Sequence, residues 1–253
     1  MNENNPSNRI LTFDCYGTLL NLDSVDQALA QIARANQLDP QKACDYYSRY
    51  EDRLMYGETF RPFESLVREI LSYVDFELSA QVFQTQAERI LQAYREAEPF
   101  EEVKESLAKL HAQGWTIVLM SNTSDSLMRH HLQKLGSSID HVLLADQVHA
   151  YKPQLAFFEE AEKALNLKSN THIHIAAGYW WDMIPAGKMR WPAIWVDRKN
   201  HALYARRKMA LKKFAPFVSF PAFWKPSVRT QQFARRQRFE FISFERKRQI
   251  EPV

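Results

Sequence analysis

Cysteine is nearly missing from the 253 residues, with Cys15 and Cys44 the only two. That excludes a disulfide scaffold and a four-cysteine zinc site, and it fits a reducing cytoplasm. Long apolar runs are missing as well. None approaches the ~18 residues that a bilayer crossing needs, so no membrane association is expected. Met1 to Arg9 is polar and Asn-rich, without an apolar segment of the secretory kind. No internal repeat and no low-complexity tract interrupts the chain. What is present is ordinary for a globular protein: 45% hydrophobic, 25% charged and 13% aromatic residues. That is enough for one sizeable core, with or without an inserted module.

A net charge of +3 hides an asymmetry. From Arg198 to Val253 there are 15 Lys/Arg against 3 Glu, while the preceding 197 residues carry an excess of nine acids. Basic clusters such as Arg206-Arg207-Lys208 and Arg235-Arg236-Gln237-Arg238 alternate there with Phe214, Phe217, Phe220, Trp224 and further aromatics. Such a segment, residues 201–253, has two readings: a nucleic-acid or anionic-surface contact, or an extension packed on the body or on a second copy in a homodimer. The aromatics favour the packed reading, because leaving them in water is costly.

Hydrophobic periodicity divides the rest. Arg9 to Asp14 reads as a buried strand running into a tight loop, with Gly17 supplying unusual backbone angles. Residues 24–94 read as four helices. Ser24 with Gln27 suggests a capping box for the first, and Asp39-Pro40 starts the second. Alternation of helix and strand resumes at Phe100. Strands are expected at 115–120, 141–145, 171–177 and 193–196, with a helix over 125–135 stopped by Gly136. This pattern implies an α/β fold: a parallel sheet covered by helices on both faces, with a helical module inserted after the first strand.

The polar residues that follow the strands are the informative ones. Asp14 follows the first, Ser121 and Asn122 the second, Lys152 the third and Asp182 the fourth. In a parallel sheet those positions converge on one edge. A carboxylate nucleophile, hydroxyl and amide donors, a lysine and a second carboxylate can then share one pocket.

Phe13-Asp14-Cys15-Tyr16-Gly17-Thr18-Leu19, Ser121-Asn122, Tyr151-Lys152-Pro153 and Asp182 resemble, in order, the four motifs of the haloacid dehalogenase superfamily. The resemblance covers residues 8–198. It implies a Rossmann-like core from residues 1–19 and 96–200 and a helical cap from residues 20–95. Phosphatases of that superfamily usually carry a second Asp two residues after the nucleophile, as general acid. Tyr16 stands there in this chain, and a phenol is a poor acid at neutral pH. A halide leaving group needs no proton, so Tyr16 favours the 2-haloacid dehalogenase branch.

By that resemblance Asp14 attacks C2 of a short 2-haloacid, and water hydrolyses the resulting aspartyl ester. Lys152 keeps Asp14 ionised, Asp182 positions Lys152 or the water, and Thr18 supports the Asp14 loop. Tyr16, Ser121 and Asn122 meet the small anionic substrate, and a cap arginine, Arg49, grips its carboxylate. No cofactor is implied. The chain departs from the branch before Asp182, where Ala176-Ala177-Gly178-Tyr179 lacks the usual Ser and Asn, and at Phe158, where a Tyr is common. Two alternatives follow. One is a phosphatase with Mg²⁺ on Asp14 and Asp182. The other is a catalytically weakened binding protein acting through its basic tail.

Overall fold

The computed structural model describes residues 9–57 and 59–198. The basic segment 201–253, with its nucleic-acid and homodimer readings, lies outside the described residues.

Five parallel strands form the sheet, in the order β5-β4-β1-β6-β7. They are β1 (Ile10–Asp14), β4 (Thr116–Ser121), β5 (His141–Leu144), β6 (His172–Ala176) and β7 (Ala193–Trp195). β1 is central, pairing Asp14 with Met120 on one side and Phe13 with Ile175 on the other. Strand order reverses about β1, and that is where an open α/β sheet binds ligands beyond its carboxyl ends. The strands read as continuous apolar runs because both faces are covered. α5 (Val103–Ala112) and α6 (Asp125–Leu135) bury Val103, Leu107, Leu110 and Met128 against Leu11, Phe13 and Leu119. On the opposite face α8 (Leu155–Leu165) and α9 (Ile184–Lys188) contribute Phe157, Phe158 and Ala186. A short α7 (Ala145–Val148) follows β5 directly.

Four helices are inserted after the first strand: α1 (Asp23–Ala35), α2 (Pro40–Met55), α3 (Phe63–Glu77) and α4 (Ala87–Glu96). Their apolar stripes meet in one cluster that includes Leu29, Ile32, Tyr47, Leu66, Ile70, Leu91 and Tyr94. The chain passes into and out of this block through β2 (Leu20–Asn21) and β3 (Glu98–Pro99), which pair antiparallel. Between α3 and α4, buried Asp75 accepts from the backbone N–H groups of Val82, Phe83 and Gln84 and holds the connection.

Local signals fare unevenly. Asp39 caps α2, its carboxylate accepting from the N–H of Gln41 and Lys42. α6 runs over Asp125–Leu135 and ends at Gly136, as expected. The capping box at Ser24 does not form. α1 begins at Asp23 with Leu22 at its N-cap, and the Ser24 hydroxyl donates to Ala93 O at 2.8 Å, tying α1 to α4. Val82 and Phe83 precede α4 rather than belonging to it.

Candidate active site

The turn after β1 builds the first wall. Gly17 sits at φ +75°, which a side chain would resist. Cys15 O accepts from the N–H groups of Thr18, Leu19 and Leu20. This reversal returns Thr18 to Asp14. Thr18 Oγ1 donates to Asp14 Oδ2 and accepts from the Ala177 N–H, so it joins the ends of β1 and β6.

Lys152 closes the arrangement. Its Nζ lies 2.7 Å from Asp14 Oδ1 and 2.7 Å from Asp182 Oδ1. Lys152 and Asp182 are each 1% exposed and Asp14 6%, so little water competes for these charges. Asn122 fixes the lysine's backbone: its amide donates to Lys152 O and accepts from Lys152 N, both at 2.8 Å. Asp182 lies on the widened helical turn Tyr179–Met183 after β6. His174 Nε2 is 3.2 Å from Asp182 Oδ1, and a buried row continues through Thr12 Oγ1 to His172. Asp182 Oδ2 has no hydrogen-bond partner among the described residues. Gly178 leaves room for it, because a Cβ there would come within 2.5 Å.

Burial pushes the Asp14 carboxyl above its ordinary value, with Lys152 and Thr18 pulling against that and Asp182 adding to it. Burial acts on Asp182 in the same sense, but Lys152 and His174 outweigh it and hold that carboxyl low. Burial alone would deprotonate Lys152. The two carboxylates reverse the effect and hold its ammonium above the ordinary lysine value. Tyr16, by contrast, is a neutral phenol raised well above its ordinary value by burial. Its hydroxyl is shared between Thr123 Oγ1 at 3.0 Å and His131 Nε2 at 2.9 Å. Burial lowers His131 to about 4, so its imidazole is neutral near pH 7. Cys15, next to the nucleophile position, is fully buried and its thiol is pushed far up by burial, as suits a core filler.

A cavity of about 650 Å³ opens above these groups. Asp14, Tyr16, Ser121, Asn122, Lys152 and Asp182 line it, and Thr18 stands behind Asp14. Arg49 is a correction. On α2 the cavity-facing positions are Gln41, Cys44, Asp45, Tyr47, Ser48, Glu51 and Met55, at helical spacing. Arg49 falls outside that stripe, exposed, with its guanidinium over the Tyr46 ring. Residues that the sequence did not single out also matter here. Thr123 and His131 hold Tyr16, His174 backs Asp182, and Glu51 and Arg198 line the cavity. The period-two spacing of His172 and His174 on a strand was the one available signal for the histidine row.

A divalent cation fits these residues poorly. Mg²⁺ takes a near-octahedral oxygen shell. Asp14 and Asp182 are the two carboxylates at this point, and Lys152 already bridges them with its own positive charge. Position 16 adds a phenol rather than a third acid. No cluster of three His, Cys, Asp or Glu suited to a metal occurs among the described residues. No helix among them is long and apolar enough to cross a membrane.

Comparison with known proteins agrees with the geometry. A model of the haloacid dehalogenase-like hydrolases matches residues 9–189. The (S)-2-haloacid dehalogenase of Pseudomonas sp. (strain YL) is 29% identical over 200 residues, covering 76% of this chain and 83% of that protein. The (S)-2-haloacid dehalogenase 4A of Burkholderia cepacia is 26% identical, covering 76% and 84%. Among solved structures, L-2-haloacid dehalogenase of Xanthobacter autotrophicus with chloropropionic acid covalently bound is similar with a TM-score of 0.67. It is 18% identical and covers 91% of this chain and 98% of that one, a likeness of fold.

Proposed function

Because this chain belongs to the haloacid dehalogenase-like hydrolases, we propose that it hydrolyses the carbon–halogen bond of a 2-haloacid through an ester on Asp14. The observation that carries this reading is the Asp14 carboxylate. It is held by Lys152 and Thr18 at the floor of a cavity, beside a tyrosine that is no acid. The names of the relatives support the same substrate class.

One Asp14 oxygen attacks C2 from the side opposite the halogen. A C–O bond forms, the carbon–halogen bond breaks, and the halide leaves with the electron pair. No proton is needed, which suits the neutral Tyr16. Water then adds to the carbonyl carbon of the Asp14 ester. The 2-hydroxyacid leaves and the carboxylate is restored with one water oxygen. One proton is released overall, and Asp182, on the cavity wall with its Oδ2 unpartnered among the described residues, is the candidate acceptor. Lys152 stays paired with Asp182 while Asp14 is esterified, then re-pairs with Asp14 as its charge returns. Ser121, fully buried on the cavity wall, meets the substrate directly, and Asn122 acts by fixing Lys152.

In this reading residues 1–19 and 96–200 form the catalytic core, residues 20–95 the cap, and residues 201–253 a separate segment. The unpaired Cys15 and Cys44 agree with a cytoplasmic setting.

Single turnover in ¹⁸O-water tests the mechanism. The expected result is label in the Asp14 side chain, halide release unchanged by EDTA, and no turnover in a folded Asp14→Asn. Label confined to the product would mean direct attack by water and would overturn the ester mechanism. Phosphate release that EDTA stops would favour the Mg²⁺ phosphatase instead.

A further inference from the structure

β7 is an edge strand, two places from β1 in the sheet. Past its end the Val196 N–H donates to Ala176 O, and the chain turns at once, with the Arg198 N–H on Val196 O. The Arg198 side chain then reaches back to the loop after β1. Its Nε and Nη2 donate to Thr18 O at 3.0 and 2.7 Å. Its Nη1 pairs with Glu102, and the guanidinium lies on the Phe100 ring, 3.9 Å from the centre. No step of the reaction at Asp14 uses this arginine directly.

The residues that it joins lie at both crossings into the helical insert. Thr18 stands just before β2, and Phe100 and Glu102 stand just after β3. The Phe100 N–H also donates to Leu19 O at 3.0 Å, so the two crossings are neighbours. Arg198 thus fastens the nucleophile loop to the base of the insert, from a place on the cavity wall. A planar guanidinium can hold a carbonyl, pair with a carboxylate and stack on a ring at the same time, and an ammonium cannot.

Thr18 carries this fastening to Asp14. It is fully buried, with its carbonyl on Arg198 and its hydroxyl between Asp14 Oδ2 and the Ala177 N–H. Asp14 Oδ1 is held by Lys152, so Thr18 and Lys152 together set the plane of the carboxylate. Attack on carbon depends on that plane, and a misplacement of ~1 Å can cost about 100-fold in rate.

We propose that Arg198 is a positioning residue: by holding Thr18 O it keeps the Thr18 hydroxyl on Asp14 and the carboxylate aimed at C2. This rests on the dehalogenation reading and adds to it a residue from beyond the last strand.

The test measures single-turnover halide release from 2-chloropropanoate by the full chain, at a temperature well below the melting point of each variant. Arg198→Met keeps an unbranched chain over Phe100 and removes every donor. Its rate at saturating substrate should fall by about 10- to 100-fold, with the half-saturating concentration within about two-fold of the unsubstituted protein. Arg198→Lys returns one donor without the planar fork and should recover part of the rate. Glu102→Gln removes an ion pair but leaves Thr18 O held, and should stay within about three-fold. A folded Arg198→Met with an unchanged saturating rate would overturn the proposal, whatever its melting temperature. So would a loss confined to the half-saturating concentration, which would make Arg198 a substrate contact, or an equal loss in Glu102→Gln, which would put the effect on the ion pair. Should Arg198→Met fail to fold, Arg198→Lys decides in its place, a reduced saturating rate upholding the proposal and an unchanged one overturning it. Should the unsubstituted protein release no halide, the dehalogenation reading fails by itself, and crystal structures of that protein and of Arg198→Lys decide the placement. A Thr18 hydroxyl displaced from Asp14 in the variant would uphold it, and an unchanged contact would refute it.

Discussion

The floor of the cavity and its insert-side wall both carry carboxylates, and they treat charge in opposite ways. On the floor Asp14 and Asp182 are buried and share one ammonium at 2.7 Å each. On the wall Asp23, Asp26 and Asp45 are exposed, and Glu51 is backed by phenols rather than a cation. Burial forces the difference. A carboxylate without water must find a cation or lose its charge, whereas one at a rim is stabilised by solvent. The floor is therefore fixed in geometry, and the wall keeps its charges in contact with solvent.

The sharpest way to break this contrast is to remove the shared ammonium. Lys152→Met leaves two buried carboxylates side by side, which cannot both ionise. Loss of about 3–5 kcal/mol of stability is expected in denaturant titration, with halide release down by ~1,000-fold or more. Asp14 should then ionise only at higher pH, so the residual pH–rate profile should move in the alkaline direction. A profile that stays in place would mean that Lys152 does not set the charge of the nucleophile.

A smaller effect is expected one step behind the floor. His174→Leu removes the contact to Asp182 Oδ1 and leaves Thr12 Oγ1 with His172 alone. Losing such a buried partner costs about 1–3 kcal/mol, or roughly 5- to 100-fold. If His174 positions Asp182, the loss should fall on kcat with KM unchanged, and His174→Gln should restore part of it. A purely structural histidine would lower the melting temperature and leave kcat alone.

The wall should answer least, and with the opposite sign. Glu51 titrates at about 7 in the folded protein against an ordinary 4.5. Below pH 4.5 both states are protonated. As pH rises to 7 the folded state loses the advantage of holding its proton, and above 7 it carries the full penalty of a partly buried charge. Glu51→Gln should therefore stabilise the protein above pH 7 by roughly 1–2 kcal/mol, after screening at this half-buried side chain, and by nothing at pH 4. Melting curves across that range check the sign.

The same contrast separates what was legible in the sequence from what was not. The floor was legible because each of its residues follows a parallel strand, and sheet topology alone brings strand ends together. Asp14, Ser121, Lys152 and Asp182 needed no side-chain geometry to be grouped. The wall depends on helix rotation. Ala43, Tyr47 and Leu54 announce the apolar stripe of α2, yet which flank of that stripe meets the cavity follows from packing against α1 and α3. Arg49 was placed on the wrong flank for that reason, and Asp45 and Glu51 went unseen. β2 and β3 are two residues each, too short for any periodicity. Ser24 shows a third limit: a hydroxyl near a helix start can serve a neighbouring helix instead of its own.

The antiparallel pair of β2 and β3 gives this division a longer reach. Leu20 faces Pro99 and Asn21 faces Glu98, so the two ends of the helical block are ladder neighbours about 5 Å apart. To the sheet, everything between them is one long hairpin turn. Closing a longer turn adds only about 0.6 kcal/mol for each doubling of its length. By chain closure alone, residues 22–97 can be lengthened or shortened at little cost, while Phe63 and Tyr94 against Tyr16 and Glu64 on Ser124 are the contacts such a change must keep. The floor of the cavity and its insert-side wall therefore stand on separate stretches of one chain, joined along it only where β2 meets β3.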